Sequence, residues 1–256
     1  MIVTTSLRPT DDIIARARIV SLDLDLPIIK REKESISTIQ NQYQSDIFVV
    51  AANRLSIHQL GTDKPTFFHP SSAMFRVKRI LRGESDLFLQ ATKLTSGMSI
   101  LDCTLGLASD SIVSSVAIGK FGKIVSTEGN RFLAYLVSEG LSNWDSGLPE
   151  MNEAMRQISV FSIDHLEYLR NEKENAFDVV YFDPMFESKI DSEGINAIRK
   201  MAIYRSLDEE TIEEAKRVAK KRIVLKDHWQ STRFDRFNFN VYKRVTAQFH
   251  YASIEL

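Results

Sequence analysis

The sequence predicts an α/β protein: a mostly parallel sheet with helices on both faces, preceded by a small α/β region. Three observations carry this. From Ser99 to Lys226, strand-like and helix-like segments alternate, which is the pattern of βαβ units. The tail from Phe237 to Ile254 is β-rich with no helix between its strands, which suggests a terminal hairpin beside that sheet. The first 70 residues carry strands and helices of their own before the alternation begins.

In order, Ile2–Thr5 reads as a strand. Thr10 followed by Asp11 and Asp12 is a helix start, a cap hydroxyl with acids over the positive end of the dipole. Ile13, Ile14, Ala17 and Val20 then fall at helical spacing. Lys30–Glu34 leads into a second amphipathic helix containing Ile36 and Ile39. Ile47–Ala52 and Arg54–Leu60 are β-like runs around Asn53, a hairpin, and Gly61–Pro65 is a loop. From Ser71 a helix places Met74, Val77, Ile80 and Leu81 on one face, while Arg76, Lys78, Arg79 and Arg82 make the rest basic. Phe88 to Leu94 continues as helix and stops at Gly97. The alternating part has strands at Ser99–Asp102, Lys123–Thr127, Ile158–Phe161, Phe177–Asp183 and Arg222–Lys226. Helices fit between them, at Asp110–Ile118, Arg131–Leu141, Asp164–Asn171 and Asp208–Lys220. The chain thus divides into residues 1–70, read as a substrate-recognition region, and residues 71–256.

Composition narrows the function. At 256 residues and 43% hydrophobic, the chain can bury a core without disulfide staples. No apolar run approaches the ~18 residues of a membrane span, and Met1–Ser6 is neither a signal nor a transit segment. The single cysteine, Cys103, forbids an intrachain disulfide and suits a cytoplasmic protein. The five histidines show no ligand spacing, so no metal site is expected. A net charge of −1 leaves any hold on nucleic acid to local patches. Two are visible: the basic helix face just named, and Lys216, Arg217, Lys220, Lys221, Arg222 and Lys226, which Asp208–Glu214 balance within the same helix. The oligomeric state is left open.

Ligands of parallel sheets bind beyond the carboxyl ends of the strands. There the first alternating strand ends in Asp102 and runs into Cys103-Thr104-Leu105-Gly106-Leu107-Ala108-Ser109-Asp110. The second ends near Glu128-Gly129, the third leads to Asp164, and the fourth ends in Asp183-Pro184-Met185-Phe186. Each acid alone can be a helix cap, Asp164 above all. Gathered together, carboxylates repel unless a cation sits among them. A dinucleotide needs a G-x-G-x-x-G turn; here Gly106 stands alone and Asp110 would repel a phosphate, which disfavours a nicotinamide oxidoreductase. S-adenosylmethionine (SAM) has no phosphate and is net cationic. Asp102 and Asp110 are placed for its amino-acid end, and Asp164 for the adenine amine. Glu128, about 20 residues beyond Gly106, is placed for the ribose hydroxyls.

At these residues the sequence resembles class I SAM-dependent methyltransferases. The 102–110 segment, with Asp102, Thr104, Gly106, Ser109 and Asp110, looks like their first motif. Tyr181-Phe182-Asp183-Pro184-Met185-Phe186 looks like their fourth, of the class that methylates exocyclic amines. The combination is similar to the bacterial 16S rRNA guanine-N2 methyltransferase family. It is closer still, over nearly the whole chain, to a related group of bacterial SAM-dependent methyltransferases, a likeness that includes Phe67-Phe68-His69-Pro70. The rRNA enzymes have a second glycine and a basic residue where this chain has Ala108 and Ser109. The resemblance implies a Rossmann-like, seven-stranded sheet with its last strand antiparallel, SAM as cofactor, S-adenosylhomocysteine as product, and no metal.

The expected chemistry is methyl transfer to an exocyclic amine, most naturally on RNA and rRNA in particular. Asp183 and the Pro184 carbonyl would accept its N–H groups, and Phe186 would stack on the base. His69, Arg76 and Arg79 are candidate substrate contacts, the arginines as part of a phosphate track. The alternatives are a DNA, protein or small-molecule substrate, or a SAM-binding or RNA-binding module without turnover. Asp183-Pro184 and Phe186 speak against the module.

Overall fold

Apolar runs between Ser99 and His228 form the centre of a seven-stranded sheet in the computed structural model of the protein, which describes residues 1–184, 207–243 and 247–256. Its strands are β4 (Ser99–Asp102), β5 (Lys123–Thr127), β6 (Ser159–Phe161), β7 (Phe177–Phe182), β8 (Ala219–His228), β9 (Asn240–Tyr242) and β10 (Phe249–Glu255), in the spatial order β6-β5-β4-β7-β8-β10-β9. The first five pair in parallel; β10 is antiparallel to both β8 and β9. The central strands are buried on both faces, as parallel strands are: Ile100, Leu101, Val179, Val180, Ile223 and Val224 are all inaccessible. The chain order reverses between β4 and β7, so a ligand crevice opens there at the carboxyl ends. Register sets Asp102 level with Tyr181 on one side and Ser126 on the other.

The N-terminal region forms a separate three-stranded sheet of β1 (Ile2–Thr5), β2 (Ile47–Val50) and β3 (Leu55–His58), with β1 parallel to β2 and the β2–β3 hairpin as expected. Helix α1 (Asp11–Asp23) is capped by Thr10, whose Oγ1 accepts from Ile13 N at 3.4 Å; Ser35 caps α2 (Ile36–Tyr43) in the same way. This region is not loosely appended. One apolar cluster runs from Val3, Ala17 and Phe48 through Phe68 to Ile100 and Val179 of the large sheet. At the seam Phe68 lies against Gly140, where a Cβ would come within 2.2 Å of its ring, so this close approach requires glycine.

The remaining helices are α3 (Ser71–Leu81), α4 (Leu87–Thr92), α5 (Ser109–Ile118), α6 (Arg131–Asn143), α7 (Pro149–Gln157), α8 (His165–Asn171), α9 (Glu209–Val218) and α10 (Arg233–Arg236). Helix α10, a single turn, was not read from the sequence, and two larger differences stand beside it. Helix α7 is additional: Pro149 starts it, and Met151, Ala154 and Met155 bury one side in a short, otherwise polar segment. In addition, β8 begins at Ala219, not at Arg222. Lys220, Lys221, Arg222 and Lys226 therefore alternate along a strand, and the second basic stretch is not one helix face. No helix among the described residues is long and apolar enough to cross a membrane.

Candidate active site at the carboxyl ends of the strands

The loop from β4 to α5 is held from within. Asp102 is buried; its Oδ1 accepts from Thr104 N at 3.0 Å and its Oδ2 from Ser111 Oγ at 2.5 Å. Burial, outweighing these bonds, pushes its carboxyl up to about 7. The turn then needs two left-handed residues, Gly106 (φ +51°) and Ala108 (φ +63°), the second of which is the N-cap position of α5. Thr104 Oγ1 accepts from Asp183 N at 2.7 Å, which ties this loop to the end of β7.

Around Asp183 and Asp110 the protein supplies its own cations. Lys226, from β8, donates from Nζ to Asp183 Oδ2 at 2.6 Å and lies 3.6 Å from Asp110 Oδ2. Arg76 Nη1 is 2.5 Å from Asp110 Oδ1, and its Nε and Nη2 donate to Asp86 at 2.8 and 2.9 Å. The Tyr181 hydroxyl donates to Asp110 Oδ2 at 2.8 Å. Burial drives the Asp110 carboxyl upward, but Lys226 and Arg76 outweigh it and hold it below its ordinary value. Burial would lower Lys226; Asp183 and Asp110 hold it well above the ordinary lysine range. Asp183 is raised by burial, with Asp110 adding to it against the pull of Lys226. Arg76, Asp86, Asp110, Asp183 and Lys226 line a cleft of about 760 Å³ between α3 and the strand ends, with Phe249 and Tyr251 also on its wall.

Beyond the Gly106 turn the acids are met differently. Glu128, at the end of β5, accepts from Asn130 N on Oε1 at 2.9 Å and from Gly106 N on Oε2 at 3.3 Å. Burial raises its pKa. Each oxygen still has a lone pair for another donor. Gly129 carries the chain from Glu128 to Asn130, the cap of α6. Asp164 caps α8, its Oδ1 accepting from Leu166 N at 3.0 Å and Glu167 N at 3.3 Å.

The structure therefore brings Asp102, Thr104, Gly106, Ser109, Asp110, Asp183 and Pro184 to one cleft, with Arg76 and Arg79 on its α3 side. Glu128, Gly129 and Asp164 stand across the turn and do not line it. Phe186 lies outside the described residues. Three expectations need correction. His69 does not line the cleft; it is exposed, edge-on to Trp144 with ring centres 5.0 Å apart. Arg76 is not part of a surface phosphate track, because its guanidinium is turned inward to Asp86 and Asp110. Nor does Asp110 stand as an open negative charge against phosphate, since Arg76 and Lys226 balance it. Sequence reading missed this role of Lys226, counting it only as one charge of a basic stretch that could touch phosphates. Its signal was there: it stands towards the carboxyl end of the next strand, where the same rule that singled out the acids applies.

A protein-family model described as "Putative SAM-dependent methyltransferase" matches residues 31–236. The chain belongs to this SAM-dependent methyltransferase family. Among relatives, the uncharacterized protein YpiP of Bacillus subtilis is 43% identical over 254 residues, 99% of this chain and 98% of that one. The ribosomal RNA small subunit methyltransferase J of Psychrobacter arcticus is 31% identical over 110 residues, only 40% of this chain and 36% of that protein. A SAM-dependent methyltransferase from Neisseria gonorrhoeae superposes with a TM-score of 0.64 at 16% identity, covering 100% of this chain and 96% of that one; at that identity the likeness concerns the fold. The Rossmann-like methyltransferase sheet and the small N-terminal sheet are thus as the sequence predicted.

Proposed function

We propose that this methyltransferase moves the methyl group of SAM to an exocyclic amine of an RNA base, with guanine N2 in rRNA as the leading target. The observation that carries this reading is the end of β7: Asp183 is fixed by its backbone to Thr104 and by its carboxylate to Lys226, and with Pro184 it faces the cleft. The partial match to rRNA methyltransferases supports the choice of RNA. The lone cysteine, Cys103, fits a cytoplasmic site of action.

The donor set fits SAM. Glu128 bridges the two loops that flank the strand ends and keeps acceptor capacity on both oxygens, which is what a ribose diol requires. Asp102 and Gly106 would shape the turn against the cofactor, Ser109 and Asp110 would border its amino-acid end, and Asp164 would edge the adenine. When bound, SAM supplies an electrophilic methyl on sulfur. The chain must do the rest. An exocyclic ring amine is a weak nucleophile because its lone pair is delocalised. Asp183 and the Pro184 carbonyl would accept its N–H groups and turn that lone pair towards the methyl, so positioning does most of the work. Phe186 would present its face to the base, which must be unpaired or flipped out. Residues 1–70 would add to substrate recognition.

Mass spectrometry of nucleosides from the rRNA and tRNA of a deletion strain tests the reading. The expected result is loss of one methylated nucleoside, restored by the wild-type chain and not by Asp183→Ala. An unchanged nucleoside profile overturns the RNA reading in favour of another substrate or of binding without turnover.

A further inference from the structure

We propose that the outer face of α3 is a docking strip for single-stranded RNA, with Phe75 as a stacking platform and Lys78, Arg79 and Arg82 following the phosphates; this rests on the RNA reading above. At 3.6 residues per turn, Ala73, Val77 and Ile80 take the inward side of α3, and Ala73 and Val77 are fully buried. Phe75, Arg79 and Arg82 recur at i, i+4 and i+7 on the opposite side, with Lys78 beside them, and all four are exposed. Phe75 is 66% exposed, with no ring partner among the described residues.

A single exposed apolar side chain is ordinary on a protein surface. This one lies among three cations. Neither Lys78 nor Arg82 has an ion pair among the described residues. Arg79 meets Glu84 at 2.7 Å, but both side chains are more than 40% exposed, so a phosphate can compete for the guanidinium. Arg76, the remaining basic residue of the helix, points the other way, into the cleft. The strip is continuous with that cleft: Ser72 and Arg79, one turn to either side of Phe75, line its edge. A strand lying along α3 would thus lead a base directly to Asp183.

The chemistry selects the partner. The cations call for a polyanion, and with a net charge of −1 over the whole chain the attraction is local to this face. An aromatic face beside cations takes an unstacked base, as in single-strand binding sites, whereas a duplex offers its bases no such access.

The test uses the full chain and a fluorescein-labelled single-stranded RNA of about 15 nucleotides, within the usual single-strand site size. Affinity is read by fluorescence anisotropy over a range of salt, and transfer into rRNA from the deletion strain is followed in parallel. Phe75→Ala should weaken RNA binding about tenfold, within the range for one lost stacking contact, and Phe75→Trp should restore it. The Lys78→Gln, Arg82→Gln double variant should lower the salt slope by about 1.4, the value for two single-strand phosphates. Both should raise KM for rRNA with kcat unchanged, and SAM calorimetry should match wild type. Variants that equal wild type in anisotropy and KM overturn the strip and leave the RNA reading standing. So does tighter binding of a DNA duplex or an acidic peptide than of the RNA. If the wild type methylates none of the deletion strain's RNA, the RNA reading falls and the strip with it.

Discussion

On the β5 and β6 side of the Gly106 turn, Glu128 and Asp164 are met by backbone N–H groups; on the β4 and β7 side, Asp110 and Asp183 are met by Arg76 and Lys226. The difference matters because the two solutions leave different chemistry behind. Glu128, held by two amides, keeps a lone pair on each oxygen, so it remains open to a ligand hydroxyl. A carboxylate held by a buried cation is neutralised and fixed, and losing either partner strands the other in a poorly solvated place.

Breaking the cation-held edge should have the largest effect. Lys226→Met leaves Asp183 and Asp110 without their shared cation and should destabilise the fold by about 3–5 kcal/mol, the usual cost of stripping a buried ion pair, while Lys226→Arg should retain most of it. Urea unfolding measures this; a loss below about 1 kcal/mol for the Met variant would show that the pair is effectively solvated. Next comes Asp183 itself. Asp183→Ala should reduce single-turnover methyl transfer at least ~10²-fold, the lower range for a positioned acceptor group, and Asp183→Asn by less, since it keeps one acceptor oxygen. Equal rates for the two variants would remove the acceptor role.

The amide-held edge should show its effect in ligand affinity. Glu128→Ala should weaken SAM binding by about 1–3 kcal/mol, the scale of lost charge-assisted hydrogen bonds; unchanged calorimetry would sink the ribose assignment. The smallest effect belongs to Asp164. As a cap it should cost about 1 kcal/mol of stability when changed to Ala and almost nothing when changed to Asn, which caps equally well. If Asp164→Asn lowers SAM affinity by as much as Glu128→Ala does, the acid contacts the cofactor as well as the helix.

Much of this was written in local pattern. Apolar runs at strand length separated by helical periods predicted the parallel sheet, and the helix-free tail predicted the terminal hairpin of β9 and β10. The acids were found because they follow strands. Thr10 and Asp164 each cap the helix they precede, a role read from the residue types at the helix start, because capping involves only neighbours in sequence; the Ser35 cap of α2 was not singled out. Helix α7 was not legible: it is short and polar, and only its packing against the rest of the domain makes Met151 and Met155 a core face.

The sequence by itself determined the fold class, the sheet end at which the site lies and the acids that stand there, since each follows from periodicity and from residues adjacent in the chain. Only the tertiary structure decided what those acids pair with. Asp110 meets Arg76 across 34 residues, and Asp183 meets Lys226 across 43. Nothing in the spacing of two charges says that they will be brought together and dried, because that depends on which strands become neighbours. The same is true of α3. Its amphipathic period was readable, but that Arg76 would be drawn inward while Phe75 stayed outside was settled by Asp86 and Asp110 arriving from other elements.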